Sequence, residues 1–342
     1  MSRFGRHWPP KSGRGPVNLT ILGNVSFVDN IAGDNGGAIY ATGEREFNRV
    51  SMVAHLDVGG AAIFSNNNAL GSYGGAISIE RAGTLAIHGD VRFQGNMGIT
   101  EGGAVHVHRS EAHISGKVVM NSNYAPWGGA LYAYASVIRL SGGVTLSNNS
   151  ALTAGGGIGA ASDSAIMLVD DVVVHRSTAP IGGAIYLDSS DLTVAGRARL
   201  SDNNAGIGGM AYLINSVSAN ITDSARIENN QADSEGGGFF VAGSSLDMRG
   251  MAVVGGNRAG GSGGAIAARA SASVWVGGDA AVVENEARSA GGAIDADTSV
   301  TLWLVGSSSI RSNRASSGGG LSLRSESDII TYNFTVEMRN PR

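Results

Sequence analysis

Cysteine is absent from the 342 residues, so neither disulfides nor thiolate metal sites hold this chain together; the compartment stays open. Proline is scarce, with 6 copies, which excludes collagen and proline-rich linkers. Charged residues make up 15% and the net charge is −4, against about 25% charged residues in ordinary domains. The basic residues Arg3, Arg6, Lys11 and Arg14 sit in a short N-terminal tail, residues 1–17. With no basic block beyond it, no nucleic-acid partner is expected. No run of about 18 apolar residues is present, so no helix is expected to cross a membrane. The opening MSRFGRHWPPKSG lacks the apolar stretch of a signal peptide. The chain therefore either stays inside the cell or is a piece of a longer precursor, and repeats that begin near Asn18 favour the precursor.

What is abundant is glycine, with 53 copies, roughly twice average usage. A hydrophobic content of 42% is too high for disorder, so the glycines read as tight turns that recur. The first Gly of each Gly-Gly-[Ala/Gly/Met] triplet falls at Gly36, Gly74, Gly102, Gly128, Gly155, Gly182, Gly208, Gly236, Gly263, Gly291 and Gly318. The first interval is 38 residues and every later one is 26–28. A fixed period of this length is the mark of a solenoid.

A second signature precedes each pair: an apolar residue, two free positions, then Asn. The asparagines are Asn30, Asn67, Asn96, Asn123, Asn149, Asn203, Asn230, Asn257, Asn285 and Asn313, with Ser177 in the remaining copy. Two residues further on stands Ala, or Gly98 in one copy. Within one repeat, Ile185/Leu187, Leu192/Val194 and Ala198/Leu200 alternate with polar neighbours, the period of short strands. Three short strands and three turns in about 27 residues make one coil. The spacing predicts an all-β fold, a right-handed parallel β-helix of about eleven coils over residues 18–342, its hand following the general rule for parallel crossovers. Leucine-rich repeats and propeller blades fit the period and strand count less well.

The repeated residues have structural readings. The apolar pairs after each triplet form interior ladders, whose burial drives folding at about 25 cal/mol per Å². The asparagines are expected at a turn, bonded along the stack and tolerant of left-handed backbone. The Gly pair supplies positive φ and close approach; a phosphate cradle would need one such loop leading into a helix. The extra residues around Gly43–Val50 are expected to loop out of one face as a solvated segment.

Repeated GGA[I/L/V] and FxxN tetrapeptides, such as GGAI at 36–39, GGAV at 102–105, GGAL at 128–131, FVDN at 27–30, FSNN at 64–67 and FQGN at 93–96, resemble those of the chlamydial polymorphic membrane proteins. The resemblance runs from residue 18 to about 325. It implies a pectate-lyase-like β-helix and a surface-exposed or secreted adhesin passenger.

Chemistry is sparse. Glycoside hydrolysis needs converging carboxylates, yet the adjacent pair Asp170-Asp171 reads as a solvated turn. His106 and His108 share a strand face, with His113 following, but their outward slots favour exposure over metal ligation. No cofactor, metal or catalytic residue is expected. The outward slot of the first strand reads, coil by coil, Tyr40, Ser78, His106, Tyr132, Gly159, Tyr186, Tyr212, Phe240, Ala267, Asp295, Ser322. Tyr132, Tyr186, Tyr212 and Phe240 are the candidate binding residues, a surface column for a glycan or a cell-surface protein. An ice-binding face would want outward Thr rows, which this slot lacks. A non-catalytic adhesin-like rod is the leading expectation, and a carbohydrate-active enzyme the alternative. Sequons at Asn18, Asn24, Asn148, Asn220 and Asn333 arise readily in Asn/Ser-rich turns.

Overall fold

A computed structural model describes residues 17–46 and 49–332. The basic tail and Asn333 lie outside the described residues. Every regular element described is a strand, and all but the two strands of one hairpin stack in four parallel sheets. Sheet 1, with 11 strands, runs from Ile39–Thr42 to Leu321–Arg324 and takes the strand after each glycine pair. Sheet 2 has 12 strands, from Val17–Ile21 to Asp328–Tyr332. Sheet 3 has 11, from Val25–Val28 to Ser309–Arg311. Sheet 4 has 10, from Ile31–Ala32 to Glu286–Ala287. Each strand pairs with its counterpart one coil on, for example Ile185 with Ala211 and Leu187 with Leu213. The parallel β-helix expected from the period is therefore present.

The fourth sheet departs from the three strands expected per coil. Its strands are as short as Gln231–Ala232, too short to show alternation. They exist because stacking brings the turn after each Asn into register with the next coil, so its backbone groups pair between coils. The insertion also gains structure: Glu44–Glu46 and Arg49–Met52 form an antiparallel hairpin, the one such pair among the described residues.

The interior is packed mainly with apolar side chains. Ile77, Ile79, Leu131, Ile185, Leu187, Phe239 and Val241 are fully buried, which places the inward slots where alternation put them. Phe27, Phe64 and Phe93 of the FxxN motifs stack inside at 4.9 and 4.7 Å between centroids, 7° from parallel.

The asparagines form a buried amide ladder. Asn67 Nδ2 donates to Asn96 Oδ1 at 2.9 Å and to the Phe27 carbonyl at 3.0 Å. Asn67 Oδ1 in turn accepts from the backbone N–H and Nδ2 of Asn30. Every lone pair and proton of the amide is used, which is what burial demands. The left-handed residue of this turn is not the Asn. It is the residue before it: Asp29, Asn66, Ser122, Asn148, Arg176, Asp202, Asn229, Glu284 or Ser312. The side chain amide braces a turn whose strain sits one position earlier. A second ladder, of serines, was not anticipated. Gly83, Ser110, Ser136 and Ser164 donate through their backbone N–H to the Oγ of Ser110, Ser136, Ser164 and Ser190 respectively, at 3.0–3.3 Å, closing the turn between sheets 1 and 2.

Candidate binding groove

The glycine pair sets up a re-entrant corner between sheets 4 and 1. Its first member holds positive φ, as at Gly182 (60°) and Gly208 (66°), which turns the chain sharply. The residue just before the pair then lays its side chain against the outward row of sheet 1. Tyr73 stacks on His106 at 4.5 Å, and Trp127 meets Tyr186 edge-on at 5.3 Å. The outward row is thus the floor of a groove rather than an open surface. Its register is as the sequence gives it: Tyr186 lies beside Tyr212, Tyr212 beside Phe240, and Ala267 beside Asp295.

Two expectations of exposure are corrected by this corner. His106 is 2% exposed, and Tyr132 is buried as well, 6% exposed. The Tyr132 ring leans over Gly159, where any Cβ would meet its Cδ2 at 2.7 Å. Tyr186, Tyr212 and Phe240 are half-buried. Tyr186 and Tyr212 stack at 6.0 Å and 12°, and Tyr212 and Phe240 at 4.7 Å and 5°. Rings stacked along the rod cover one another's faces, so this column offers edges and hydroxyls to a partner. Burial pushes the Tyr186 hydroxyl up to about 12 and raises that of Tyr212, so both remain neutral donors.

The groove is polar at both ends. Toward the N-terminus, His106 Nδ1 is 3.3 Å from Ser78 Oγ and its Nε2 is 3.3 Å from Glu101 Oε2. Glu80 accepts from Asn35 Nδ2 at 3.2 Å and from the Tyr40 hydroxyl at 3.4 Å. Burial lowers the pKa of His108. His113 lies on sheet 2, away from the other two. Among the described residues no group of three or more His, Asp or Glu is placed to hold a metal ion. Toward the C-terminus, Asp295 is fully buried and its Oδ2 accepts from Arg269 at 2.7 Å and Arg324 at 2.8 Å. Arg269 also pairs with Glu235 at 2.8 Å.

Asp170 and Asp171 lie elsewhere, in the turn between sheets 2 and 3. Asp170 has left-handed backbone (φ 62°), and Asp171 is held below the usual carboxylate range by hydrogen bonds from Arg197, at 2.7 and 2.8 Å. The sequons at Asn18, Asn24, Asn148 and Asn220 are exposed. The arginine–carboxylate end of the groove escaped sequence reading because its members stand 26–34 residues apart; the column order placed Asp295, but not its partners.

The Chlamydia polymorphic membrane protein repeat matches residues 24–42, the stretch carrying Phe27–Asn30 and Gly36–Ile39. The chain is a β-helix of polymorphic-membrane-protein-like repeats. A probable outer membrane protein, pmp13 of Chlamydia pneumoniae, is 37% identical over 99 residues, which is 28% of this chain and 9% of that relative. No solved structure matches significantly. The PMP-like repeat thus gives both signature motifs a physical role, the FxxN apolar residue and amide inside the stack and the glycine pair at the groove corner. Among the described residues no helix is long and apolar enough to cross a membrane.

Proposed function

We propose that this chain is a non-catalytic, surface-displayed β-helix, passenger- and adhesin-like, that presents the corner groove to a glycan or a cell-surface protein. The observation that carries the reading is the groove itself, in which half-buried aromatics, neutral phenols and charged groups line up over successive coils. The relative's description as an outer membrane protein supports display at a cell surface. The groove's carboxylates favour binding over hydrolysis. Glu101 contacts His106, and Glu235 and Asp295 contact Arg269, so these carboxylates are engaged within the chain rather than converging as a pair on one open site.

The test is a glycan-array and cell-binding screen of the purified chain, with turnover of acidic polysaccharides assayed in parallel. Binding without turnover, lost on Ala substitution of Tyr186, Tyr212 and Phe240, is the expected result. Bond cleavage by the purified chain would overturn the non-catalytic reading, and binding indifferent to the triple substitution would place the ligand elsewhere.

A further inference from the structure

The C-terminal end of the groove holds a buried carboxylate that its neighbours leave half used. Asp295 is 0% exposed. Its Oδ2 takes both arginines, while its Oδ1 has no hydrogen-bond partner. A carboxylate oxygen buried without a donor is costly, and the inward slots cannot supply one, since Ile294 and Ala296 fill them. Asp295 itself stands on the outward row, so the missing donor comes from the groove side.

The surroundings narrow the chemistry of that donor. Arg269 and Arg324 face Glu235, Asp295 and Asp297, two positive groups against three negative. A second anion is repelled by the excess carboxylate, and a compact cation is repelled by two guanidinium groups at the same oxygen. A neutral hydroxyl donor meets neither penalty. Arg324 is 47% exposed in its side chain and already lies 3.5 Å from Asp297 Oδ2. It can therefore swing onto Asp297, release Asp295 Oδ2 and turn a free N–H toward the entering group. An acceptor beside an N–H donor is the complement of two adjacent hydroxyls, one donating to Oδ1 and the other accepting from the guanidinium. Along the same floor, Ala267 separates Asp295 from Phe240, and this small residue leaves the Phe240 edge and the Asp295 carboxylate as neighbouring contacts.

We propose that Asp295, with Arg324 as a swinging partner, is a subsite for a vicinal diol of a neutral saccharide, at the C-terminal end of the groove. The proposal rests on the groove being a glycan-binding face and names the glycan class and its polar anchor. It assigns Arg324 a role that a purely structural ion pair would not have, since that arginine must leave Asp295 on binding.

The test compares the full chain with Asp295→Asn, Arg324→Ala and the Tyr212→Ala/Phe240→Ala pair on neutral and acidic glycans, with thermal midpoints measured on each. In Asp295→Asn the amide oxygen stays on the arginines, so an NH₂ replaces Oδ1 and the acceptor is lost. Neutral-glycan affinity should fall about tenfold or more, while the aromatic variants weaken all ligands alike. Arg324→Ala should also weaken the neutral glycan, and it leaves the Arg269 pair to hold the fold. Hydrogen exchange with ligand bound should show protection in Phe239–Ala242 through Leu321–Arg324. Neutral-glycan binding lost in the aromatic variants but unchanged in Asp295→Asn and Arg324→Ala would overturn the subsite and leave the groove reading standing. A wild-type chain that binds only acidic glycans would overturn the subsite alone, and one that binds only protein or nothing would overturn the subsite together with the glycan reading on which it rests. Should Asp295→Asn fail to fold, the Arg324→Ala affinity and the exchange map on the wild type decide alone.

Discussion

At the scale of single residues, the amide ladder has one flaw, and the flaw is informative. Ser177 takes the Asn position, its Oγ is buried without a partner, and only its backbone N–H continues the chain, to Asn203 Oδ1 at 2.9 Å. Asn149 therefore ends one ladder and Asn203 begins another. Room for a full amide exists, because Gly157 stands where most copies carry Ala, as Gly238 does beside Asn257. Ser177→Asn is expected to raise stability by about 1 kcal/mol, read as a higher denaturation midpoint with unchanged m-value. The reverse experiment, Asn230→Ala, should cost about 1–3 kcal/mol by leaving the Leu200 carbonyl and the Asn203 amide without their partners. The same scale holds a pH effect. The Tyr186 phenol titrates at about 12 in the folded chain against the ordinary value of 10.0, chiefly through burial. The unfolded chain thus releases this proton first, so the stabilisation is complete below about pH 10. It is lost as pH rises through the window up to about 12. A phenolate absorbance titration should show a delayed class of tyrosines, and chemical stability should decline over that same alkaline window; titration of all tyrosines together near pH 10 would contradict it.

At the scale of the element, the two glycines of each pair do different work, which one tetrapeptide motif does not distinguish. The first holds the left-handed turn. The second is set by its neighbour one coil on: a Cβ on Gly183 would meet the Gly209 carbonyl oxygen at 2.3 Å, and on Gly209 the Gly237 oxygen at 2.3 Å. Backbone cannot step aside as a side chain can, so Gly183→Ala should destabilise by about 3 kcal/mol or more. Gly243, by contrast, has positive φ with nothing nearer than 3.7 Å. Gly243→Asn should change stability by less than about 1 kcal/mol, and thermal melts of the two variants side by side separate crowding from backbone freedom. These cases mark what a sequence can and cannot carry. Glycine pairs and asparagines were legible because each recurs at a fixed interval. The fourth sheet was not, since a pair such as Gln231–Ala232 has no room for alternation. The burial of His106 and Tyr132 was not legible either. Register is a property of one's own strand, but coverage comes from side chains of other coils, such as Tyr73, whose position before the glycine pair is not constant in type.

At the scale of the whole molecule, each coil touches essentially its two neighbours, and eleven coils at about 4.8 Å spacing give a rod of roughly 50 Å. Stability is then close to a sum of coils and interfaces rather than a property of one core. That additivity has a sharp consequence for deletions. Removing residues 182–207 joins Ile181 to Gly208 and takes out one whole period. The interior slots Ile158 and Ala160 then meet Ala211 and Leu213, the Ser177 backbone N–H meets Asn230, and Ala179 meets Ala232, each an equivalent slot in register. The shortened chain should fold, lose about 4.8 Å of length by small-angle scattering, and melt only a few degrees lower. Removing residues 182–194 deletes the strands Ile185–Asp188 and Asp191–Val194 and leaves the rest of the coil with no counterpart in sheets 1 and 2. It shifts every later coil out of phase with those before it and should abolish cooperative folding, although it removes fewer residues. If the two deletions melted alike, the coil would not be the unit of stability, and the column of outward residues that defines the groove would lose its basis in the repeat.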